Sequence, residues 1–188
     1  MRVSVVTPPD PVVTLGEAKE HLRVLSDDED RLIEGMVAAA TGHIDGPQGW
    51  LGRCLGVQTL EAFLPSFGCV SIGLPYPPAV AVTEIGYVDG QGAQVVSSTS
   101  SYELRGNLVR PAWPNIWPQA AWRGADGETV RIRYTAGYEQ IPAAIRSAIL
   151  LMVGDLWTFR QSATLGSAAE VPMSTTVKAL LGPFQVYA

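Results

Sequence analysis

The sequence reads as an α+β protein: a helical bundle interrupted by an inserted small antiparallel β-sheet or sandwich, and followed by a short C-terminal helix and a tail. Three observations carry that reading. Apolar residues recur at helical spacing up to about residue 54 and again from about 136, whereas between about 55 and 135 they alternate. Thr14-Leu15-Gly16-Glu17 has the form of a capping box, which opens a helix by satisfying exposed backbone N–H groups. Ile145, Ile149, Met152, Val153, Leu156 and Trp157 place a wide apolar stripe on one long helix over about 142-160. Leu150, Leu151 and Phe159 widen that stripe further, so other parts of the fold or a neighbouring subunit must cover at least two of its sides.

Taken in order, residues 1-13 mix Val and Pro and are expected as an extended arm lying on the domain or on a neighbour. Helices are expected over about 15-23 and 28-45. The second carries Leu32, Ile33, Met36, Val37, Ala40 and Ile44 on its apolar face and stops at Gly46-Pro47. The acidic run Asp27-Asp28-Glu29-Asp30 suits a helix N-terminus, which carries partial positive charge. A cation site is the sharper alternative, but the run lacks the alternate-position oxygen ligands of a calcium loop.

Strands are expected at Val57–Phe63, Cys69–Leu74, Val82–Val88 and Thr129–Tyr134, with weaker ones near Gln94–Val96, Tyr102–Leu104 and Asn107–Arg110. Asp89-Gly90 and Gly106-Asn107 mark turns, and Leu74-Pro75-Tyr76-Pro77-Pro78 must be an edge or a connection. Pro142 suits the first position of the long helix. Ser174 caps a last short helix, Thr175 to Leu181, which Gly182-Pro183 ends. Phe184, Val186 and Tyr187 make the tail apolar; it is expected as an alternating strand or hook that docks on its own chain or another. The domains are therefore an arm over 1-13, a helical domain from 14-54 and 136-162, an inserted β-domain over 55-135 and a C-terminal segment over 163-188.

The chain of 188 residues can bury a core without staples. Its formal charge of −5 and pI near 5.0 argue against a surface that grips nucleic acid. The long helix is too interrupted, by Arg146, Gly154 and Asp155, for a membrane span. The apolar run before Pro8 is too short for a signal-peptide core, so a cytoplasmic protein is expected. Cys54 and Cys69 could pair, but without metal-ligand spacing they read rather as small buried apolar residues.

A search for catalytic, metal or cofactor constellations returns none. His21 and His43 have no second ligand at metal spacing and read as surface helix histidines. Gly90-Gln91-Gly92 lacks the rest of a dinucleotide loop, and neither a phosphate loop nor a nucleophile elbow is present. Trp113, Trp117 and Trp122, in a proline-rich loop, could form a stacking platform for a sugar or a base. The alternative is that they cover one end of the sheet.

Several motifs in sequence carry a resemblance. Leu15, Ala18, Lys19, His21 and Leu22 are followed by Asp28-x-Asp30-x-Leu32-Ile33 opening an alanine-rich helix. Then come Leu74-Pro75-x-Pro77-Pro78-x-Val80, Ile85-x-Tyr87-x-Asp89-x-x-Gly92, Trp117-Pro118, Tyr134-Thr135-Ala136-Gly137-Tyr138, and Pro142-x-x-Ile145 with Arg160 near the helix end. Over about residues 14-162 this order and spacing resembles the head-tail connector, or adaptor, proteins of tailed bacteriophages and gene transfer agents. The resemblance implies a structural virion protein without cofactor or enzymatic activity, made in the bacterial host cytoplasm and located in the neck between head and tail. It implies a homo-oligomeric, dodecameric ring below the portal protein and above a tail-side completion (stopper) protein, with DNA passing through the channel without specific binding and no membrane partner. On that basis 14-54 with 136-162 is the connector domain; beyond the stretch that carries the resemblance, the apolar tail, a liability in water without a partner, makes 163-188 an expected portal-docking segment. Phe184, Val186 and Tyr187 are then the expected portal contacts, and Leu150, Leu151 and Phe159 the expected contacts between subunits. Deleting residues 174-188 is expected to leave the folded body intact. The competing readings are a carbohydrate- or peptidoglycan-binding module using the three tryptophans, and a small hydrolase whose site is not visible in the sequence.

Overall fold

The computed structural model describes residues 1–68, 70–121, 127–159 and 173–186. The described elements form an α+β fold: β1 (Arg2–Thr7), α1 (Leu15–Leu22), α2 (Asp30–Ile44), β2 (Gln58–Leu64), β3 (Ile72–Gly73), β4 (Ala79–Val88), β5 (Gln94–Val96), β6 (Tyr102–Arg105), β7 (Leu108–Pro111), β8 (Val130–Ala136), α3 (Ala143–Thr158) and α4 (Thr175–Leu181). Short 3₁₀ turns lie at Gly46–Gln48, Thr99–Ser101 and Gly182–Phe184. The chain divides into two compact units, Met1–Asp10 with Arg53–Glu139 and Pro11–Gly52 with Gln140–Ala188.

In the β unit, alternation dictates which way each strand faces. Along β8, Val130, Ile132, Tyr134 and Ala136 are buried while Arg131, Arg133 and Thr135 point the other way. All neighbours in the five-stranded sheet, ordered β1-β2-β8-β4-β5, are antiparallel; a three-stranded sheet is ordered β3-β7-β6. The core joins Leu60, Ala62, Ile85, Ile132 and Tyr134 of the larger sheet to Ile72 and Val109 of the smaller one, with Phe67 and Leu74 from the connections. The Tyr134 hydroxyl donates to the Pro75 carbonyl at 2.8 Å, and burial pushes this phenol well above its usual range.

Both expected turns are present. Asp89 Oδ1 accepts from the N–H groups of Gln91 and Ala93, each at 2.9 Å, closing the β4–β5 hairpin. Gly106, at φ +58, takes the first central position of the two-residue β6–β7 turn, where glycine carries no side-chain penalty. The segment Leu74 to Pro78 is the connection between β3 and β4.

Several boundaries differ from the sequence reading: β4 begins at Ala79 rather than Val82, and β8 runs on to Ala136 rather than ending at Tyr134. The expected strand over 69-74 shrinks to Ile72–Gly73, and Cys69 lies outside the described residues. The expected extended arm lies on its own chain, as an edge strand: Arg2, Val3, Ser4 and Val5 pair with Phe63, Ala62, Glu61 and Leu60, so the first ten residues belong to the β unit. Val12 and Val13 are buried in the other unit.

In the helical unit the capping box is complete. Glu17 Oε2 accepts from the Thr14 N–H and hydroxyl, both at 2.8 Å, while Thr14 Oγ1 accepts from the Glu17 N–H at 3.3 Å. Arg146 of α3 also bonds Glu17. α2 buries Ile33, Val37, Ala40 and Ile44; α3 buries Ile145, Ala148, Ile149, Met152 and Val153 and packs on α1, α2 and α4. Gly154 lies against His21, whose Nε2 would be 3.5 Å from an added Cβ. Pro142 is the cap of α3 rather than its first residue, because its extended ψ of 135° precedes the helix. α2 opens two residues later than expected because Ser26 and Asp28 close a local turn through a 2.5 Å hydroxyl–carboxylate bond. α3 ends at Thr158, and Arg160 lies outside the described residues.

The last helix departs from expectation more strongly. Val177 and Leu181 of α4 are fully buried, so α4 supplies core to the helical unit, and deleting residues 174-188 is expected to destabilise that unit.

Candidate functional site

The acidic run before α2 already has a cation. Lys19 Nζ donates to Asp27 at 2.6 Å and to Asp30 at 2.7 Å, which draws the Asp27 carboxyl below its usual range. Among the described residues no cluster of three or more His, Cys, Asp or Glu side chains could hold a metal ion. His43 lines a small apolar pocket with Ala40, Met152, Leu156 and Met173, while His21 packs beside Gly154. No helix among the described residues is long and apolar enough to cross a membrane.

The tryptophan loop splits by role. Trp117 lies parallel on Phe67, with centroids 4.9 Å apart and planes inclined by 10°, and Phe67 meets Tyr87 edge-on at 5.5 Å. The Trp117 indole N–H donates to the Val70 carbonyl at 3.2 Å. One face of that ring is thus used by the protein itself, as a lid on the sheet core. Trp113 is 94% exposed and Ile116 85% exposed; Trp122 lies outside the described residues. The two described tryptophans thus differ in exposure and in what holds them.

Beside the loop is a groove of about 560 Å³ lined by Val70, Trp113, Ile116, Trp117, Arg105 and Arg110. Glu103 stands between the two arginines, accepting from Arg110 Nε at 2.6 Å and pairing with Arg105 Nε at 3.3 Å. The Arg110 hydrogen bond first, and both positive charges after it, hold the Glu103 carboxyl below its usual range. Two guanidinium groups against one carboxylate leave the groove net positive.

On α3, Leu150 and Leu151 are half-buried and Phe159, just past the helix, is 68% exposed. Phe184 and Val186 are held on their own unit. Phe184 sits in the Gly182–Phe184 turn, half-buried, so the tail is not an alternating strand at that point. The Val186 N–H donates to the Leu51 carbonyl at 2.9 Å. Gly52, at φ +63, lets the chain pass this close, since a Cβ there would be 2.9 Å from the Val186 oxygen. Tyr187 lies outside the described residues.

One surface escaped sequence reading. The outer face of the five-stranded sheet carries an ion-pair ladder: Arg2 with Glu128 at 2.5 Å, Arg133 with Glu61 at 2.7 Å, and Arg131 with Glu84. Arg2 also covers the Phe63 ring, 4.0 Å from its centroid. The alternation of Arg131 and Arg133 in β8 was a signal for it, but their partners come from β2 and β4. A second such feature is Leu25, 97% exposed in the loop between α1 and α2.

No family model matches the chain, and no curated protein matches it. Solved structures match it over its whole length. Its fold is similar to that of a chain in the neck of an empty GTA particle computed with C6 symmetry, at TM-score 0.77 and 20% identity, covering 100% of this chain and 97% of the other. A chain in the neck of a native GTA particle computed with C12 symmetry matches at TM-score 0.68 and 19% identity, and one in the virion of a native gene transfer agent particle at 0.71 and 19%, each with the same coverage.

Proposed function

We propose that the chain is a structural component of a virion neck, a head-tail connector whose copies form a dodecameric ring joining the DNA-filled head to the tail. The observation that carries this reading is the likeness of fold along the full length of chains from gene transfer agent necks, one of them computed with C12 symmetry. The motifs over residues 14-162 support it independently. In this reading the helices form the connector bundle, the portal protein lies on one side and a stopper protein on the other, and the ring extends the DNA channel. A net charge of −5 suits a wall that lets phosphates slide past without holding them. The ring performs no catalysis, and it is put together in the host cytoplasm.

Leu150, Leu151 and Phe159 supply apolar contacts between subunits, and Phe184, Val186 and Tyr187 face the portal. Because Val186 is tied to Leu51, Phe184 and Val186 are presented from the folded helical unit rather than as a free strand. That preorganisation lowers the entropy lost on docking, and repetition around a ring multiplies weak contacts into firm attachment.

The test is negative-stain imaging of the purified chain alone and mixed with the portal protein of its particle. Twelve-fold rings coaxial with the portal are expected. A chain that stays monomeric and unattached in the presence of portal would overturn the reading.

A further inference from the structure

We propose that neighbouring copies lock together by a knob and a groove. Leu25 of one copy enters the groove formed by Val70, Trp113, Ile116 and Trp117 in the next, with Asp28 beside that copy's Arg105 and Arg110. The proposal rests on the reading that copies assemble into a ring, and it names the contact that closes it.

Both halves of the lock are apolar surface standing in water. Leu25 is 97% exposed, and in the groove Val70 is 72%, Ile116 85% and Trp113 94% exposed. Large apolar side chains gathered at one exposed place mark a surface that another molecule covers.

The knob is held in one shape. Arg23 ends α1 in the left-handed region at φ 58, and the Val24 N–H donates to the Lys19 carbonyl at 3.0 Å, turning the chain outward just before Leu25. On the far side, Ser26 bonds Asp28 at 2.5 Å, and Lys19 grips Asp27 and Asp30. A knob ordered in advance loses little entropy on docking. The groove is equally prepared, since stacking on Phe67 and the bond to Val70 fix Trp117.

Charge selects the occupant. Asp27 to Asp30 places four consecutive carboxylates beside Leu25; Lys19 pairs with Asp27 and Asp30, and Arg23 and Arg31 flank the run, so the flank stays net negative. The groove rim has two arginines sharing one glutamate. Acidic flanks on an apolar knob fit a basic rim on an apolar groove, and this chain carries both. The two surfaces are different, so the contact is head-to-tail, the kind that closes into a ring when the rotation between successive copies allows it. A second copy of this chain is therefore the occupant.

The experiment places p-benzoylphenylalanine at position 113 of the full chain, assembles rings from a mixture of isotopically light and heavy copies, and maps the photo-crosslinks by mass spectrometry. Light–heavy crosslinks from position 113 to residues 24-31 are expected. Crosslinks leading elsewhere on the neighbour, or to portal protein, would overturn the lock while leaving the ring intact. Charge reversal gives a second reading. D28R and R105E alone should each raise the concentration needed for half-assembly about tenfold or more, and the double variant D28R/R105E should return it to within about threefold of the parent. Single variants that assemble normally, or a double variant that does not recover, would refute the lock. If the parent chain forms no ring even with portal present, the connector reading fails and this contact fails with it.

Discussion

Glu17 shows how one carboxylate can serve two elements. It closes the α1 capping box with Thr14 and ties that helix to Arg146 of α3. The Thr14 N–H above all, then the Thr14 hydroxyl and Arg146, hold its pKa below the ordinary 4.5. A folded-state value lower than the unfolded one stabilises the protein fully above the unfolded value, and that stabilisation is lost as pH falls through the folded value. E17Q should therefore flatten the fall in melting temperature between about pH 5 and pH 3. A parent-like slope there would show that Glu17 does not govern the acid limb. The tryptophans give a paired test at the same scale. Trp117→Ala removes a half-buried ring stacked on Phe67 and should cost about 2 kcal/mol, whereas Trp113→Ala should leave the stability of the isolated chain within about 0.5 kcal/mol. Urea denaturation of the two variants separates them.

The elements at the two ends of the chain, expected as an extended arm and as a short capped helix with a docking tail, pack into the two units. α4 puts Val177 and Leu181 fully inside the helical unit, so Leu181→Ala should cost about 3 kcal/mol, read as a lower urea midpoint at unchanged slope. A midpoint equal to the parent's would mean that the helix is dispensable. At the other end, β1 is the outermost strand on β2, and Val3 packs on the sheet core. Its pairing was hard to read because Pro8, Pro9 and Pro11 follow so closely that the segment looks like a linker. A bulge between Val5 and Thr7 ends the regular ladder just before those prolines. In the ion pairs across β2, β8 and β4 the arginines stay partly exposed while Glu61 is largely covered, so each is worth about 1 kcal/mol or less despite their regular spacing.

On the scale of the whole molecule, each compact unit is built from two separated stretches, and the chain crosses between units at 10/11, 52/53 and 139/140. Residues 53–139 alone should therefore be an incomplete sheet, and a peptide of residues 1–10 added in trans should slow amide exchange in β2. Exchange that the peptide leaves unchanged would mean that β1 adds nothing to the unit. The sequence by itself determined what depends on near neighbours along the chain: the helical and alternating periods, the Thr14–Glu17 box, the Asp89 and Gly106 turns, and the cap at Ser174. Its motifs also pointed to gene transfer agents, and chains in the necks of such particles share its fold. Only the tertiary structure decided that residues 2–7 join β2, that Lys19 occupies the acidic run, that Trp117 lies on Phe67 while Trp113 stands in water, and that Val186 bonds to Leu51. Each of those outcomes pairs groups that are not near neighbours in the chain. Hydrophobic period and capping chemistry act over a turn or a strand, so they specify which residues must be covered but not which distant partner covers them.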